Sequence, residues 1–378
     1  MMEKHPNTVE TAHRVVVKVG SNVITRDNGL NLDVIESLSR QISALIDSGR
    51  EVILVSSGAM AAGVKKIGLP RRPDAIPERQ AVSAVGQAGL IREYEKAFEV
   101  YGKKVAQILL TGDGLHARKR YLNARNTLHT LLGWGILPII NENDTVSVEE
   151  IQFGDNDNLS AMIALLMNAD VLINFTDIDG LYTKDPRTHG DAELIPMVTT
   201  IRREIEQLAG DIPGALGTGG MLSKIRAARK VNTAGIPMII ARGDKPDILL
   251  RMAAGETHGT FFVPKDHKMA NRKRWIGFTT KPRGIIRIDA GAVRALLENG
   301  KSLLPAGIKG VEGDFGAGAP VAFKNGSGDI LGIGLVNYSA GEIRKIMGLK
   351  TGEIKSVLGD KPYDEVIHRD NLTITGEE

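Results

Sequence analysis

The chain has 378 residues, of which 42% are hydrophobic and 25% charged, with 43 glycines, no cysteine and a formal net charge of +3. That length exceeds what one hydrophobic core usually organises, so two or three domains are expected, in an ordinary globular composition. The missing cysteines exclude disulfides, thiolate nucleophiles and cysteine-ligated metals, and the small net charge gives no reason to expect a polyanionic partner. MMEKHPNTVETAHR holds no signal-peptide core and no run approaches the roughly 18 apolar residues of a spanning helix, so a cytoplasmic protein is expected.

From Arg14 to about Gly243, short β-branched runs alternate with helical patterns, the signature of strands joined by crossover helices in a mainly parallel sheet. Strands are expected at Val15 to Val19, Val52 to Val55, Ile136 to Ile140, Val171 to Phe175 and Ile236 to Ala241, all nearly continuous in apolar residues, as strands covered on both faces are. AVSAVGQAGLIREYEKAF, from Ala81, reads as a helix, either at a subunit interface or buried within the domain. Leu159 to Asn168 and Met221 to Thr233 show apolar residues at helical spacing, the second stopping before Gly235 and Pro237. The stretch from Gly255 to Arg274, ending in the basic NRKR, reads as a boundary or linker. Beyond it Gly284 to Ile288, Val321 to Phe323 and Ile330 to Val336 read as short strands, the last two separated by the turn-rich NGSGD, so a small β-rich domain follows.

Three glycine-bearing loops stand out, two of them with a lysine. VVVKVGSNVIT places Lys18 in a strand and Gly20 and Ser21 just past its carboxyl end, where ligands sit in open α/β sheets. ILVSSGAMAAG leads through Ser57 and Gly58 into a helix whose amides could face an anion. Neither matches the GxxxxGK[ST] or GxGxxG fingerprints, and each alone also fits a tight strand-to-helix turn. In GLGTGGMLSKIRAARK, Gly217, Gly219 and Gly220 permit close backbone approach and Lys224 falls in the first turn of the next helix, so amides, dipole and ammonium would converge on phosphate; a solvated lysine on a loop is the plainer alternative.

Two acidic and amide-rich segments, NENDTVSVEE and GDNDN, have the short acceptors and donors that bind an ammonium and a carboxylate, or hold Mg²⁺ through nucleotide oxygens. GDNDN fits a helix N-cap equally well. NFTDIDGLYTKDPR sets Thr176, Asp177 and Asp179 at a strand's carboxyl edge, in reach of a ribose or base, with a turn at Asp179-Gly180 as the alternative. The scattered His5, His13, His116 and His368 show no ligand spacing.

In this order, KVGSNVIT, SSGAMAAG, NENDTV, GDNDN, FTDIDGLYTKDPR and GTGGMLSK resemble the amino acid kinase family, and DAGAVRALLENGKSLLPAGIKGVEG resembles the PUA domain that follows the kinase domain in many bacterial members. NENDTV and GDNDN separate the glutamate-phosphorylating branch from acetylglutamate, aspartate, carbamate and uridylate kinases. The resemblance implies a three-layer α/β/α sandwich with a mainly parallel central sheet plus a small β-rich PUA domain, divided as kinase domain 1–260, linker 261–274 and PUA domain 275–378. It implies ATP- and Mg²⁺-dependent phosphorylation of the L-glutamate side-chain carboxylate, opening proline biosynthesis.

By the same resemblance Lys18 and Lys224 flank the transferring phosphoryl group and Asp157 orients them. Ser57, Asn141, Asp144 and Asn156 bind glutamate. Gly20 and Gly58 contribute backbone amides, and Lys18, Thr176, Asp177 and the loop Thr218, Gly219, Gly220, Met221, Leu222, Ser223, Lys224 bind ATP, with no metal held by the protein itself. Ser56 stands where a threonine or similar residue is expected, a small departure. Proline is implied as feedback inhibitor, glutamyl-phosphate reductase as a contact, and a homo-oligomer as the assembly. PUA domains elsewhere bind RNA, which makes an RNA-binding module the rival from another class. Trp275 to Glu378 carry 13 Lys and Arg against 13 Asp and Glu, without the basic footprint such binding leaves, so only Arg272, Lys273 and Arg274 offer a local patch. A catalytically silent amino-acid sensor on the same fold is opposed by the presence of both lysines and Asp157.

Overall fold

β-Branched runs set the architecture, which the computed structural model describes for residues 8–26, 29–146, 156–210, 220–265 and 281–375. The chain divides into two units, Met1–Lys268 and Met269–Glu378. The strands of the first, in chain order, are β1 (Arg14–Val19), β2 (Thr25–Arg26), β3 (Gly29–Leu30), β4 (Glu51–Ser56), β5 (Lys104–Leu110), β6 (Ile136–Glu142), β7 (Val171–Thr176), β8 (Met197–Val198), β9 (Met238–Arg242) and β10 (Thr260–Phe262). β2 and β3 pair as a small antiparallel ribbon, and the rest form one sheet in the order β5-β6-β4-β1-β7-β9-β10-β8. The first six of these run parallel; β10 is antiparallel to β9 and parallel to β8.

Every residue of β7, and all but the first of β1 and β4, is buried. Burial on both faces needs a helical layer on each side. On one side the helices Leu32–Asp47, Ile76–Glu99 and Ile248–Ala253 share a core with Val15, Val17 and Val19 through Leu38, Ile42, Tyr94, Phe98 and Leu249. On the other, Asn156–Met167 lies across β1, β4, β6 and β7, and Met221–Thr233 packs beside it. This is a three-layer α/β/α sandwich with a mainly parallel sheet. The helix Ile76–Glu99 also meets the helix Ala59–Ile67 at backbone contact: a Cβ on Gly86 would lie 1.8 Å from the Ala59 carbonyl oxygen, and one on Gly63 1.9 Å from that of Val82.

Two features depart from the sequence pattern. β5 sits at the sheet edge with Lys104, Gln107 and Leu109 exposed, so its polar residues break the apolar run that marks the inner strands. The linker expected from residue 261 begins instead inside the sheet: Phe261 and Phe262 are buried in β10, the Val263 amide donates to the Val198 carbonyl (2.9 Å), and that of Lys265 to the Asn232 carbonyl (3.0 Å). The rest of that expected linker, with Arg272, Lys273 and Arg274, lies outside the described residues.

The second unit is a five-stranded sheet of β11 (Ile285–Ile288), β12 (Ile308–Glu312), β13 (Pro320–Lys324), β14 (Ile330–Leu335) and β15 (Leu372–Ile374), ordered β12-β11-β13-β14-β15, with only β11 and β13 parallel. Its core is Ile286, Val321, Phe323, Tyr338, Ile343 and Ile354 with their neighbours. Asp289 caps the helix Ala290–Leu297, and Ser339 with Glu342 forms a capping box on Ala340–Ile346. Among the described residues no helix is long and apolar enough to cross a membrane.

Candidate active site

A lysine near the carboxyl end of a strand buried on both faces must meet a partner, because an unpaired buried ammonium is too costly to keep charged. Lys18 finds Asp157 in the first turn of Asn156–Met167: its Nζ lies 2.5 Å from Oδ1. From the other side Lys224, in the first turn of Met221–Thr233, brings its Nζ to 3.2 Å from Oδ2. Lys18, Asp157 and Lys224 are 4%, 1% and 6% exposed. The Ser223 hydroxyl donates to Oδ2 (2.5 Å) and the Asn174 amide to Oδ1 (2.9 Å), so each oxygen carries one ammonium and one neutral donor. Burial works against ionisation of Asp157, but the two ammonium groups and the hydrogen bonds override it and hold the carboxyl well below the usual carboxylate range. Two fixed cations on one anion leave this three-residue cluster with a positive balance.

Beside this cluster, at the carboxyl ends of β4 and β6, lies a second polar group. Asn156 Nδ2 donates to Ser57 Oγ (2.8 Å) and Asn141 Oδ1 (2.9 Å) and lies 3.5 Å from the Ser56 carbonyl. Three surrounding oxygens fix the amide so that Asn156 Oδ1, buried and without a hydrogen-bond partner among the described residues, is left as an acceptor. Ser57 Oγ, already accepting, keeps its own proton to give away. Asp144 follows β6 and is half-buried; burial pushes its carboxyl up, against the pull of the Ser83 hydroxyl and the Arg72 and Arg79 guanidinium groups. On the far side of the lysines, at the end of β7, Asp177 accepts from Asn22 Nδ2 (3.0 Å) and Thr176 Oγ1 (3.0 Å). Burial opposes its ionisation, and those hydrogen bonds with the charge of Lys224 still hold its carboxyl low.

Residues 13–242 match the amino acid kinase family and residues 284–358 the PUA domain. A glutamate 5-kinase of Syntrophus aciditrophicus is 50% identical over 374 residues, 99% of this chain and 97% of that one. Those of Caldanaerobacter subterraneus (50% identical, covering 96% and 97% of the two chains) and Carboxydothermus hydrogenoformans (51%, covering 97% and 98%) align as completely. The chain belongs to the amino acid kinase family, in its glutamate 5-kinase branch.

In this kinase, then, Lys18, Lys224 and Asp157 meet at one point, Ser57, Asn141 and Asn156 at a second, and Thr176 and Asp177 at a third. Gly220, Met221, Leu222 and Ser223 open the helix that carries Lys224, and Gly58, at φ +103° where a side chain would be strained, precedes the helix Ala59–Ile67. Among the described residues neither helix N-terminus is capped by a side chain, and first-turn amides of this kind can take an anion. Thr218 and Gly219, like Gly154, Asp155 and Gly217, lie outside the described residues.

One expectation needs correcting. The Gly20 amide is not open to phosphate, because it donates to the Phe175 carbonyl (3.1 Å) and continues the β1–β7 pairing. A Cβ there would stand 3.6 Å from Lys18 Nζ, an ordinary van der Waals contact, so space beside the lysine does not by itself demand glycine. Sequence reasoning missed Asn174, Asn22 and Tyr94. Asn174 had a signal, as the one amide in the otherwise apolar run VLINFT. Asn22 and Tyr94 gave none, because their partners Asp177 and Ser56 are distant in sequence.

Among the described residues no group of three or more His, Asp or Glu converges as a metal site, and Asp157 is already taken by two ammonium groups. The described residues do not fit a protein-built Mg²⁺ cage, and Mg²⁺ accompanying ATP would be held through phosphate oxygens and water.

Proposed function

We propose that the chain transfers the γ-phosphoryl group of ATP to the side-chain carboxylate of L-glutamate, giving L-glutamyl 5-phosphate, the first step of proline biosynthesis, in the cytoplasm. The observation that carries this is the pair of buried ammonium groups, Lys18 and Lys224, held on opposite oxygens of Asp157 at the carboxyl edge of a parallel sheet. A glutamate side chain has an unperturbed pKa of about 4.3, so at neutral pH the nucleophile is already ionised and no general base is required. The barrier is the approach of one anion to another, with charge redistributing on the transferred group. Fixed positive charge in a water-poor site acts on that barrier.

The roles follow from place. Lys18 and Lys224 flank the phosphoryl group; Asp157 keeps both aimed, and the Ser223 hydroxyl and Asn174 amide keep Asp157 aimed. Ser57, with a free proton, suits the α-carboxylate of glutamate, and Asn156 Oδ1, a free acceptor, suits its ammonium, with Asn141 and Asp144 completing the pocket. Thr176, Asp177 and the segment from Thr218 to Lys224 take ATP, and Gly58 opens the helix that faces its phosphates. Proline as feedback inhibitor, contact with glutamyl-phosphate reductase and a homo-oligomeric state go with this assignment.

The test is to supply the purified chain with ATP, Mg²⁺ and hydroxylamine, which traps acyl phosphates, and to compare glutamate, N-acetylglutamate and aspartate. Hydroxamate with glutamate alone is expected. Its absence with glutamate and appearance with another acid would overturn the roles given to Asn156 and Asp144 while leaving those of the lysines.

A further inference from the structure

We infer that the helix Ile76–Glu99 sets the geometry of the glutamate pocket through two positioning residues, Tyr94 and Gln87, neither of which reaches the substrate. The two are seven residues apart, so they lie on one face of the helix, two turns from each other. Each ends on a different substrate loop. Tyr94 is fully buried and its hydroxyl lies 2.9 Å from Ser56 Oγ. Ser56 gives its own proton to the Ser57 carbonyl (3.0 Å), so the proton between the two hydroxyls belongs to Tyr94, whose acidity burial pushes down, its pKa raised to about 12. Gln87 Nε2 donates to the Glu142 carbonyl (3.3 Å), while its Oε1 accepts from Gln107 on β5 (3.3 Å), which fixes which way the amide points.

From these two anchors the hydrogen bonds converge on Asn156. One route runs from Tyr94 through Ser56 to Ser57, whose Oγ accepts from Asn156. The other runs from Gln87 to the carbonyl of Glu142; the N–H on the other side of the same residue donates to Asn141 Oδ1 (2.9 Å), and Asn141 Oδ1 also accepts from Asn156. The helix itself is seated closely on the helix Ala59–Ile67 that follows Ser57: Gly86 meets the Ala59 carbonyl at a distance no Cβ would tolerate. A single rigid helix thus spans the loops after β4 and β6 and fixes the spacing at which Ser57 and Asn141 grip Asn156. The nucleotide side of the site, Asn22, Thr176 and Asp177, receives no hydrogen bond from Tyr94 or Gln87.

This rests on the assignment of Ser57, Asn141 and Asn156 to the acid substrate, and the test separates the two. Initial rates are measured for the wild type, Tyr94→Phe, Gln87→Leu and Ser56→Ala, with glutamate varied at saturating ATP and ATP varied at saturating glutamate, and with melting temperature as a check on folding. Each variant is expected to raise KM for glutamate roughly fivefold, the size expected for losing one hydrogen bond, with KM for ATP and kcat held within about twofold. Parallel rises in both KM values, a fall in kcat alone, or unchanged kinetics would overturn the inference. Tyr94→Phe keeps the ring in the core; if it nevertheless melts out, Ser56→Ala removes the same bond from the other end and decides the matter. A wild type that ignores glutamate but accepts another acid would defeat the substrate assignment instead, and the same KM split, read with that acid, would still judge Tyr94 and Gln87.

Discussion

In the first unit an aspartate and two lysines are almost fully withdrawn from water. In the second, among the described residues, the buried side chains with a polar group are Thr373 and the Tyr338 phenol, neither of them charged, and ion pairs such as Arg287–Glu312 and Lys361–Asp364 stand at the surface. Both units have continuous apolar cores, so neither needs buried charge in order to fold. Taking an ion out of water costs several kcal/mol, and a buried pair seldom improves on well-packed apolar residues. Charge buried in one unit and kept outside in the other singles out the Lys18–Asp157–Lys224 cluster as the candidate site.

Removing the central anion should have the largest effect. Asp157→Ala leaves two buried ammonium groups facing each other and should destabilise the first unit by about 3–5 kcal/mol, read from the denaturant midpoint, together with loss of turnover; an unchanged midpoint would mean the cluster is wetter than its burial indicates. Lys18→Ala and Lys224→Ala should each lower kcat by at least ~10²-fold, as for losing one preorganised charge donor, whereas Lys361→Ala in the second unit should leave kcat unchanged. Near-normal turnover in either variant would refute the role given to that lysine.

Acid should separate the units next. The Asp157 carboxyl is held below its unfolded value of about 3.9, so its contribution is fully present above that value and is lost as pH falls through the lower folded value. The denaturant midpoint of the first unit should therefore drop as pH goes below about 4, and Asp157→Asn should remove that part of the slope. An identical slope in the variant would place the acid sensitivity elsewhere. The smallest effect is expected from Arg287→Ala. Its exposed pair with Glu312 should be worth under about 1 kcal/mol and leave kinetics alone.

Much of this was legible in the sequence for a stated reason. The strands that carry the site are covered on both faces, so Val15 to Val19, Val52 to Val55 and Val171 to Phe175 show as apolar runs, and Lys18 stands out as the single charge inside one of them. Edge strands lack that marker: β5 is interrupted by Lys104 and Gln107, β12 by Lys309 and Gly310, and β15 has three residues. Motifs located Asp157, Lys224, Asn156 and Ser57, but not what holds them. Asn174 meets Asp157 and Tyr94 meets Ser56 only because crossover connections bring different strands and helices together at one sheet edge. The Gly20 amide shows the opposite limit, since a glycine beside a strand end looks like an open phosphate ligand until its pairing to Phe175 is seen.

In the proposed reaction the side-chain carboxylate of glutamate attacks phosphorus between Lys18 and Lys224. The most direct measurement uses glutamate whose side-chain carboxylate carries heavy oxygen, with ATP, Mg²⁺ and hydroxylamine, followed by mass analysis of the released phosphate. Hydroxylamine displaces phosphate from the acyl carbon, so each phosphate should leave with one labelled oxygen taken from glutamate. Unlabelled phosphate, released in amounts matching the ATP consumed, would show that the carboxylate is not the acceptor.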